Sequence, residues 1–195
     1  MPHKFDAAWA SILEDEERKE FLPPVEILKR IGVREGITFA DIGCGTGYFT
    51  IPAAELVGRG RIFAIDVQEE MLELLKKKIE GMENITIVKS SEDTIPLPSE
   101  SVDIAFMGDV LHELEGEGTL REAYRILRRG GVLGVVDWKK EKMEIGPPFE
   151  DRLSIEEAKA MIERVGFSVT ESFEIPPYHY CLIAKKGESY AELEE

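Results

Sequence analysis

Short apolar runs alternate along the chain with segments in which apolar residues recur every three to four positions. The periodic segments predict amphipathic helices, as in Glu69–Glu80, where Met71, Leu72 and Leu75 lie on one face. The apolar runs have the length of buried strands and occupy 37–40, 61–66, 84–88, 102–107, 132–136, 167–173 and 178–184. Alternating strands and helices predict an α/β fold, with seven strands in a doubly wound, mostly parallel sheet and helices on both faces.

The last two predicted strands are exceptions to the parallel pattern. Only Glu174–Pro177 separates them, which is too short for a crossover helix. The sequence therefore predicts that the last strand is antiparallel.

Local signals set several helix boundaries. Thr119–Glu122 and Ser154–Glu157 both have the capping-box pattern that opens a helix. Gly32 stands where a helix C-cap is expected. Pro52 is tolerated only in a first turn, which predicts that its helix begins after Tyr48.

A glycine-rich turn follows the first strand, with Gly43, Gly45 and Gly47 in the pattern G-x-G-x-G. Glycines allow a sharp turn and a close approach of the backbone to a ligand. The dinucleotide fingerprint G-x-G-x-x-G would need a glycine at position 48, which is Tyr48. Asp41, directly before the turn, is unfavourable beside a pyrophosphate and favourable beside a cation. The pattern therefore favours a nucleotide-like ligand with an ammonium or sulfonium group over NAD.

Asp66 ends the second strand, 23 residues after Gly43. An ionised carboxylate is a pure hydrogen-bond acceptor and suits both hydroxyls of a ribose. The alternative is an ordinary exposed acid. The spacing from the glycines favours the ribose role.

Together these motifs resemble those of the class I S-adenosylmethionine (SAM)-dependent methyltransferases, in the branch of ubiquinone, menaquinone and related small-molecule methyltransferases. The resemblance runs from about Pro24 to Ala184 and implies a Rossmann-like fold with SAM as cofactor. Arg129 stands where the family usually has proline. The motifs that carry the resemblance are Asp41–Gly47 followed by Tyr48-Phe-Thr, Ile65-Asp66-Val67, Ile95-Pro-Leu-Pro98 before Ser101-Val-Asp103, and Arg125–Val132.

The resemblance implies roles on the cofactor side of the site. The three glycines approach the methionyl part of SAM, Asp41 faces its ammonium group, Asp66 holds the ribose and Val67 packs on the adenine.

After the third strand the family often has an aspartate that contacts the adenine amino group. The aligned residue is Ser91, which is followed by Glu92 and Asp93. Ser91 contacts the adenine through its hydroxyl or backbone, or one of the two acids supplies the carboxylate; either acid alternatively faces solvent. Asp109 and Val110 fall where the family borders the methyl group and the substrate.

In-line methyl transfer needs alignment above all, and it needs a base only if the acceptor loses a proton. His112 is the leading candidate base by residue type, with Asp109 nearby; a structural histidine is the alternative. Tyr178 and His179 are weaker candidates, because the seventh strand is expected at the far edge of the cleft. Residues 138–140 follow the fifth strand and either line the acceptor pocket or, for Trp138, pack under a loop.

Composition limits the other classes of function. The net charge of −15 disfavours binding to nucleic-acid phosphates and to anionic membrane surfaces. No apolar stretch has the length of a membrane span and no signal-peptide pattern appears, so a cytoplasmic location is expected. Cys44 and Cys181 do not read as a disulfide framework, and the His and Cys residues lack metal-ligand spacing.

We interpret residues 1–195 as one methyltransferase domain. Residues 1–22 form a helical segment that either covers the cleft as a lid or packs on the body, and residues 186–195 form a charged tail. The expected function is methyl transfer from SAM to a small-molecule acceptor. The alternatives are a non-catalytic module that binds SAM or S-adenosylhomocysteine (SAH) and acts through a partner, and a protein methyltransferase. The acceptor atom and the oligomeric state stay open.

Overall fold

The computed structural model describes Asp6 and residues 17–187, and in this part of the chain seven strands form one sheet. Their order across the sheet is β3-β2-β1-β4-β5-β7-β6. The strands are β1 (Thr38–Ile42), β2 (Arg61–Asp66), β3 (Ile85–Lys89), β4 (Val102–Gly108), β5 (Leu127–Trp138), β6 (Phe167–Ile175) and β7 (His179–Lys186).

The first five strands are parallel, and β7 runs antiparallel to both of its neighbours, β5 and β6. The predicted Rossmann-like sheet with an antiparallel last strand is confirmed. β6 and not β7 forms the edge of the sheet, because the β6–β7 hairpin turns back and inserts β7 beside β5. Trp138 at the end of β5 therefore pairs with His179 at the start of β7.

Helices cover both faces of the sheet, as the alternating pattern predicts. α2 and α3 pack on one face, where α4 also covers β2, while α5 and α6 pack on the other. The helices are α1 (Arg18–Phe21), α2 (Pro24–Ile31), α3 (Thr50–Val57), α4 (Glu69–Lys78), α5 (Gly118–Ile126) and α6 (Ile155–Arg164).

Three of the four predicted boundary signals are confirmed. Pro52 lies in the first turn of α3, and Gly32 ends α2 in the left-handed conformation at φ 109°. Ser154 and Glu157 form both hydrogen bonds of a capping box.

The capping box predicted at Thr119 is absent, since the helix already begins at Gly118. The Thr119 hydroxyl instead donates to the carbonyl of Glu92, and the Glu122 carboxylate accepts from the backbone N–H of Ile95. These partners from a neighbouring loop replace the local cap.

The fifth strand is longer than its apolar run, because it begins at Leu127 rather than at Val132. Leu127 pairs with Val102 of β4, and Arg128 donates to the carboxylate of Asp103. Pairing with β4 therefore extends β5 back to the end of helix α5.

The predicted N-terminal helix, with Phe5, Ala8, Trp9, Ile12 and Leu13 on one face, lies outside the described residues, as does the tail beyond Gly187. Within the described ranges, no helix combines the length and apolar character that crossing a membrane requires.

Candidate functional site

A cleft of about 1020 Å³ opens at the carboxyl ends of β1, β2 and β4. The strand order reverses between β1 and β4, which is where ligands bind in open α/β sheets. Gly47 packs behind the turn, close to Leu75, and the weaker candidates Tyr178 and His179 do not line the cleft. The others border the cleft: Asp41, Gly43, Gly45, Asp66, Val67, Ser91, Glu92, Asp109 and His112.

The glycine turn holds three left-handed residues, Gly43, Gly45 and Gly47, at φ 73°, 52° and 95°. The backbone N–H of Gly43 donates to the carbonyl of Ile65 at 2.8 Å, which joins the turn to β2. A Cβ atom on Gly43 would lie 2.4 Å from a methyl carbon of Val110. Both the backbone conformation and the packing therefore require glycine at position 43.

We expect Gly43→Ala to lower the free energy of unfolding by about 1–3 kcal/mol, because alanine must adopt a left-handed conformation and displace Val110. Gly36→Ala is the matched control: its φ is 84° and no atom lies within 4 Å of the added Cβ. Urea denaturation of both variants separates the backbone cost from the steric cost. Equal losses of stability would show that contact with Val110 contributes nothing.

Asp66 is buried at the end of β2, and its carboxylate organises the turns on both sides. Oδ2 accepts from the backbone N–H of Gly45 at 2.9 Å, and Oδ1 accepts from that of Gln68 at 2.8 Å. Burial raises the pKa of Asp66, against the lowering effect of these backbone donors. Each oxygen keeps a further lone pair with which it can accept a ligand hydroxyl.

Asp41 lies under the glycine turn with 2% of its surface exposed. Its Oδ2 accepts from the Thr50 hydroxyl at 2.6 Å. Burial raises the pKa of Asp41 to about 7, Thr50 opposes this rise, and the charge of Asp66 adds to it. A cation bound in the cleft would compensate the buried charge.

The loop after β3 brings all three candidates for the predicted adenine contact to the cleft. The backbone N–H of Ser91 donates to the carbonyl of Thr94 at 3.1 Å. Asp93 packs so close to Gly118 that a Cβ there would lie 1.7 Å from its Oδ1. Glu92 is exposed at the rim.

Asp109 follows β4 in a left-handed conformation, at φ 58°. Its Oδ2 accepts from Arg18 at 2.9 Å, and its Oδ1 lies 3.2 Å from Nε2 of His179, which is fully buried. Burial favours a raised pKa for Asp109, but His179 and Arg18, together with His112, lower it to about 2. Asp109 is therefore ionised at neutral pH, and it contacts both Arg18 in the N-terminal segment and His179 in β7.

The segment Glu17–Leu22 lies along one side of the cleft. The Arg18 guanidinium sits over the Tyr48 ring, 4.0 Å from its centroid, and the Tyr48 hydroxyl donates to the carbonyl of Leu22 at 2.6 Å. The Phe21 ring stacks on His179. The role of residues 1–22 as a lid stays a prediction. The contacts of Arg18, Phe21 and Leu22 with residues at the cleft favour it.

His112 lies in a short 3₁₀ turn after β4 and is held from behind by Asp137. Its Nδ1 is 2.7 Å from Oδ1 of Asp137, and its backbone N–H donates to Oδ2 at 3.0 Å. Burial alone would lower the pKa of His112, but Asp137, with smaller contributions from Glu113 and Asp109, raises it to about 9. At neutral pH the ring is protonated, which favours a donor role over the predicted role as a base.

Trp138 borders the cleft from the end of β5, and the loop that follows packs against it. A Cβ on Gly146 would lie 2.7 Å from the Trp138 ring. Arg152, which is 3% exposed, donates to three carbonyls of this loop, those of Glu141, Ile145 and Pro147. Trp138 therefore both lines the cleft and packs under a loop, whereas Lys139 and Lys140 form ion pairs away from it.

Among the described residues, no group of three or more His, Cys, Asp or Glu side chains has an arrangement that could hold a metal ion. The Asp137 carboxylate is already engaged by the N–H groups of His112 and Trp138. Cys44 and Cys181 are buried thiols, and burial raises the pKa of both.

Comparison with known proteins relates this cleft to methyl transfer. A family profile described as "Methyltransferase domain" matches residues 40–135. A demethylmenaquinone methyltransferase of Staphylococcus aureus (strain MRSA252) is 35% identical over 109 residues, which are 55% of this chain and 45% of that protein. The match thus spans less than half of that relative. A SAM-dependent methyltransferase from Mesorhizobium loti, 19% identical with a TM-score of 0.68, covers 82% of this chain and 96% of its own and shows the shared fold.

The structure of a SAM-dependent methyltransferase from Aquifex aeolicus superposes with a TM-score of 0.90 at 36% identity. The superposition covers 94% of this chain and 100% of the Aquifex aeolicus chain. This chain belongs to the SAM-dependent methyltransferases. Its cofactor is SAM.

The residues of this methyltransferase fit SAM in charge and in shape. The buried carboxylates of Asp41 and Asp66 suit a ligand that is cationic and carries a diol. Gly43 borders the same cleft, and its lack of a Cβ leaves room for Val110, which also lines the cleft. The binding of the cofactor by these residues stays a prediction, and the structure shows that they border one cleft.

Sequence reasoning missed several residues that line the methyltransferase cleft or contact its lining residues. Arg18 and Thr50 lack any motif, and their roles follow from partners that are distant in sequence or across a turn. Asp137 gives a weak signal as a polar residue at the end of a strand. His179 was a weaker candidate because the seventh strand was expected at the far edge of the cleft, and the structure places its ring against Asp109 and Trp138, two residues that line the cleft.

Proposed function

We propose that this protein transfers the methyl group of SAM to a small-molecule acceptor by in-line displacement. The observation that carries the proposal is that two groups of residues border one cleft. Asp41, Gly43 and Asp66 come from the ends of β1 and β2 and form what we call the cofactor side, and His112 and Trp138 come from the ends of β4 and β5 and form the acceptor side. A volume of about 1020 Å³ accommodates a nucleoside cofactor and a second small molecule together.

When bound, SAM supplies a methyl group on a positively charged sulfur together with its own leaving group. The protein supplies alignment. Asp66 would accept hydrogen bonds from the ribose, and Asp41 would face the ammonium group. Val110 and Asp109 follow β4, between the two sides of the cleft, and would border the reacting methyl group.

The acidic surface supports a small molecule rather than a nucleic acid as the acceptor, since the net charge of −15 repels phosphate backbones. The named activity of the Staphylococcus aureus relative makes demethylmenaquinone one acceptor to test first.

Incubation with SAM labelled in its methyl group, over a panel of small acceptors, tests the proposal. We expect formation of SAH and transfer of the label to one class of acceptor. Tight binding of SAM without turnover on any acceptor would instead support a binding module. Label recovered on added protein would support a protein methyltransferase.

We expect SAM to bind more tightly as the pH rises through about 7, the pKa to which burial raises Asp41. A cationic ligand prefers the ionised carboxylate. Below this pH, Asp41 must release a proton when SAM binds, and the cost of this release lowers the affinity. Calorimetry in buffers of different ionisation enthalpy measures that proton release. The variant Asp41→Asn should lose this dependence, and an equal pH dependence in both proteins would contradict the role of Asp41.

A further inference from the structure

The His112–Asp137 pair leaves one ring nitrogen available to the cleft. Asp137 is fully buried, and Oδ1 and Oδ2 together accept from Nδ1 and the backbone N–H of His112 and from the backbone N–H of Trp138. An ionised carboxylate only accepts hydrogen bonds, so Nδ1 of His112 carries a proton. The closest acid to Nε2 is Glu113, at 3.8 Å, which is too long for a hydrogen bond. Nε2 is therefore the atom that can meet a ligand.

The groups that face His112 fix the charge of its ring. Asp137 and Glu113 lie within 4 Å of its two nitrogens, and Asp109 adds a third negative charge from the end of β4. These three charges overcome the effect of burial and hold the pKa near 9. At neutral pH the Nε2–H group can thus donate a charge-assisted hydrogen bond to a ligand.

The surroundings of His112 restrict what it can bind. Arg18, the other positive side chain among the described residues of the cleft, is paired with Asp109. Glu113 and Glu115 follow His112 along the cleft, and they would repel a carboxylate or phosphate on the acceptor. The side chains of Val110, Leu114, Trp138, Ile145 and Pro147 make the adjacent walls apolar.

We infer that the acceptor is an uncharged, apolar compound with a phenolic or enolic hydroxyl, and that Nε2 of His112, positioned by Asp137, binds the oxygen of that hydroxyl. The inference deepens the proposed methyl transfer and rests on it. An aliphatic alcohol does not fit, because the pKa of its hydroxyl lies far above neutral pH, whereas the pKa of a phenol is about 10.

The hydroxyl proton passes to water when the acceptor binds, and His112 keeps its own protons. The oxygen, or a ring carbon conjugated with it, bonds to the methyl carbon as the carbon–sulfur bond breaks and leaves both electrons on sulfur. A ring carbon that receives the methyl group then loses its hydrogen as a proton to water.

Ionisation of 4-nitrophenol, which absorbance reports directly, tests the inference on the protein saturated with SAH. We expect the pKa of the bound probe to fall by about one unit or more below its value in water, because of the adjacent imidazolium. His112→Gln should abolish this shift while SAH still binds. Asp137→Asn should reduce the shift, because the imidazolium loses its anionic partner.

Three results would overturn the inference: an unshifted pKa of the bound probe, the same shift in His112→Gln, or no binding of 4-nitrophenol. Turnover provides a second, independent measurement. We expect 4-hydroxyacetophenone to be methylated faster than 4-hydroxybenzoate, which carries a carboxylate, and than 4-aminoacetophenone, which lacks the hydroxyl. Turnover of amines or thiols alone would refute the inference and leave the proposed function standing. Absence of both SAM binding and turnover would refute the proposed function itself.

Discussion

Asp66→Ala is expected to raise the dissociation constant of SAM by about tenfold or more, which corresponds to about 1.4 kcal/mol. The buried carboxylate would lose its charge-assisted hydrogen bonds to the ribose. The substitution also removes the acceptor of the Gly45 and Gln68 N–H groups, so the cofactor turn itself loosens. Titration calorimetry with SAM and with SAH measures the change.

Two controls separate the contact with the ribose from these structural effects. Glu73→Ala removes an exposed acid from α4, outside the cleft, and should leave the affinity unchanged. A SAH analogue without the 2′-hydroxyl should bind wild-type protein more weakly than SAH, and this difference should shrink in Asp66→Ala. If the difference persists in the variant, Asp66 does not bind that hydroxyl.

Replacement of His112 by Gln is expected to lower kcat/KM for the acceptor by about 100-fold at neutral pH, a typical loss for a group that stabilises charge or moves a proton. The affinity for SAM should stay within about twofold, because His112 lies on the acceptor side of the cleft. In the variant the rate should climb with pH as the acceptor hydroxyl ionises without assistance. Wild-type turnover in His112→Gln would make this histidine purely structural.

The stability of the same variant gives an independent readout. The pKa of His112 in the folded protein, about 9, is above its value of 6.5 in a model peptide. The protonated pair with Asp137 therefore stabilises the fold fully below about pH 6.5, and this contribution is lost as the pH rises through 9. Denaturation of wild-type protein should show this decline, and that of His112→Gln should not.

Much of the cofactor side could be predicted from the sequence, because its residues lie in short motifs. Gly43, Gly45 and Gly47 stand within five residues of one another, and Asp66 is marked by the end of an apolar run. The positions of these residues at one edge of the sheet then follow from parallel pairing. Their atomic contacts did not follow, since the hydrogen bond from Gly45 to Asp66 depends on how closely the turn approaches β2.

The acceptor side was less readable because its contacts join distant parts of the chain. Arg18 reaches Asp109 across 91 residues, and Asp137 reaches His112 across 25. No periodicity connects such pairs. The sequence indicated His112 by residue type alone, and the fold supplied the carboxylate that decides its charge.

The two capping boxes show where local reasoning ends. Ser154–Glu157 and Thr119–Glu122 carry the same pattern, and only the first forms. At the second, the carbonyl of Glu92 and the N–H of Ile95 take the side chains that would have closed the cap. A local pattern holds only where no tertiary partner competes for the same groups.

By itself, the sequence determined the alternation of strands and helices, the antiparallel last strand and the glycine turn with its two acids, because each depends on short-range periodicity or on the conformational freedom of glycine. The tertiary structure alone decided the insertion of β7 beside β5, the ion pair of Arg18 with Asp109 and the protonation of His112. These features depend on distances between segments and on burial, and both are set only when the chain packs. Packing also excludes the water that would otherwise screen the charges.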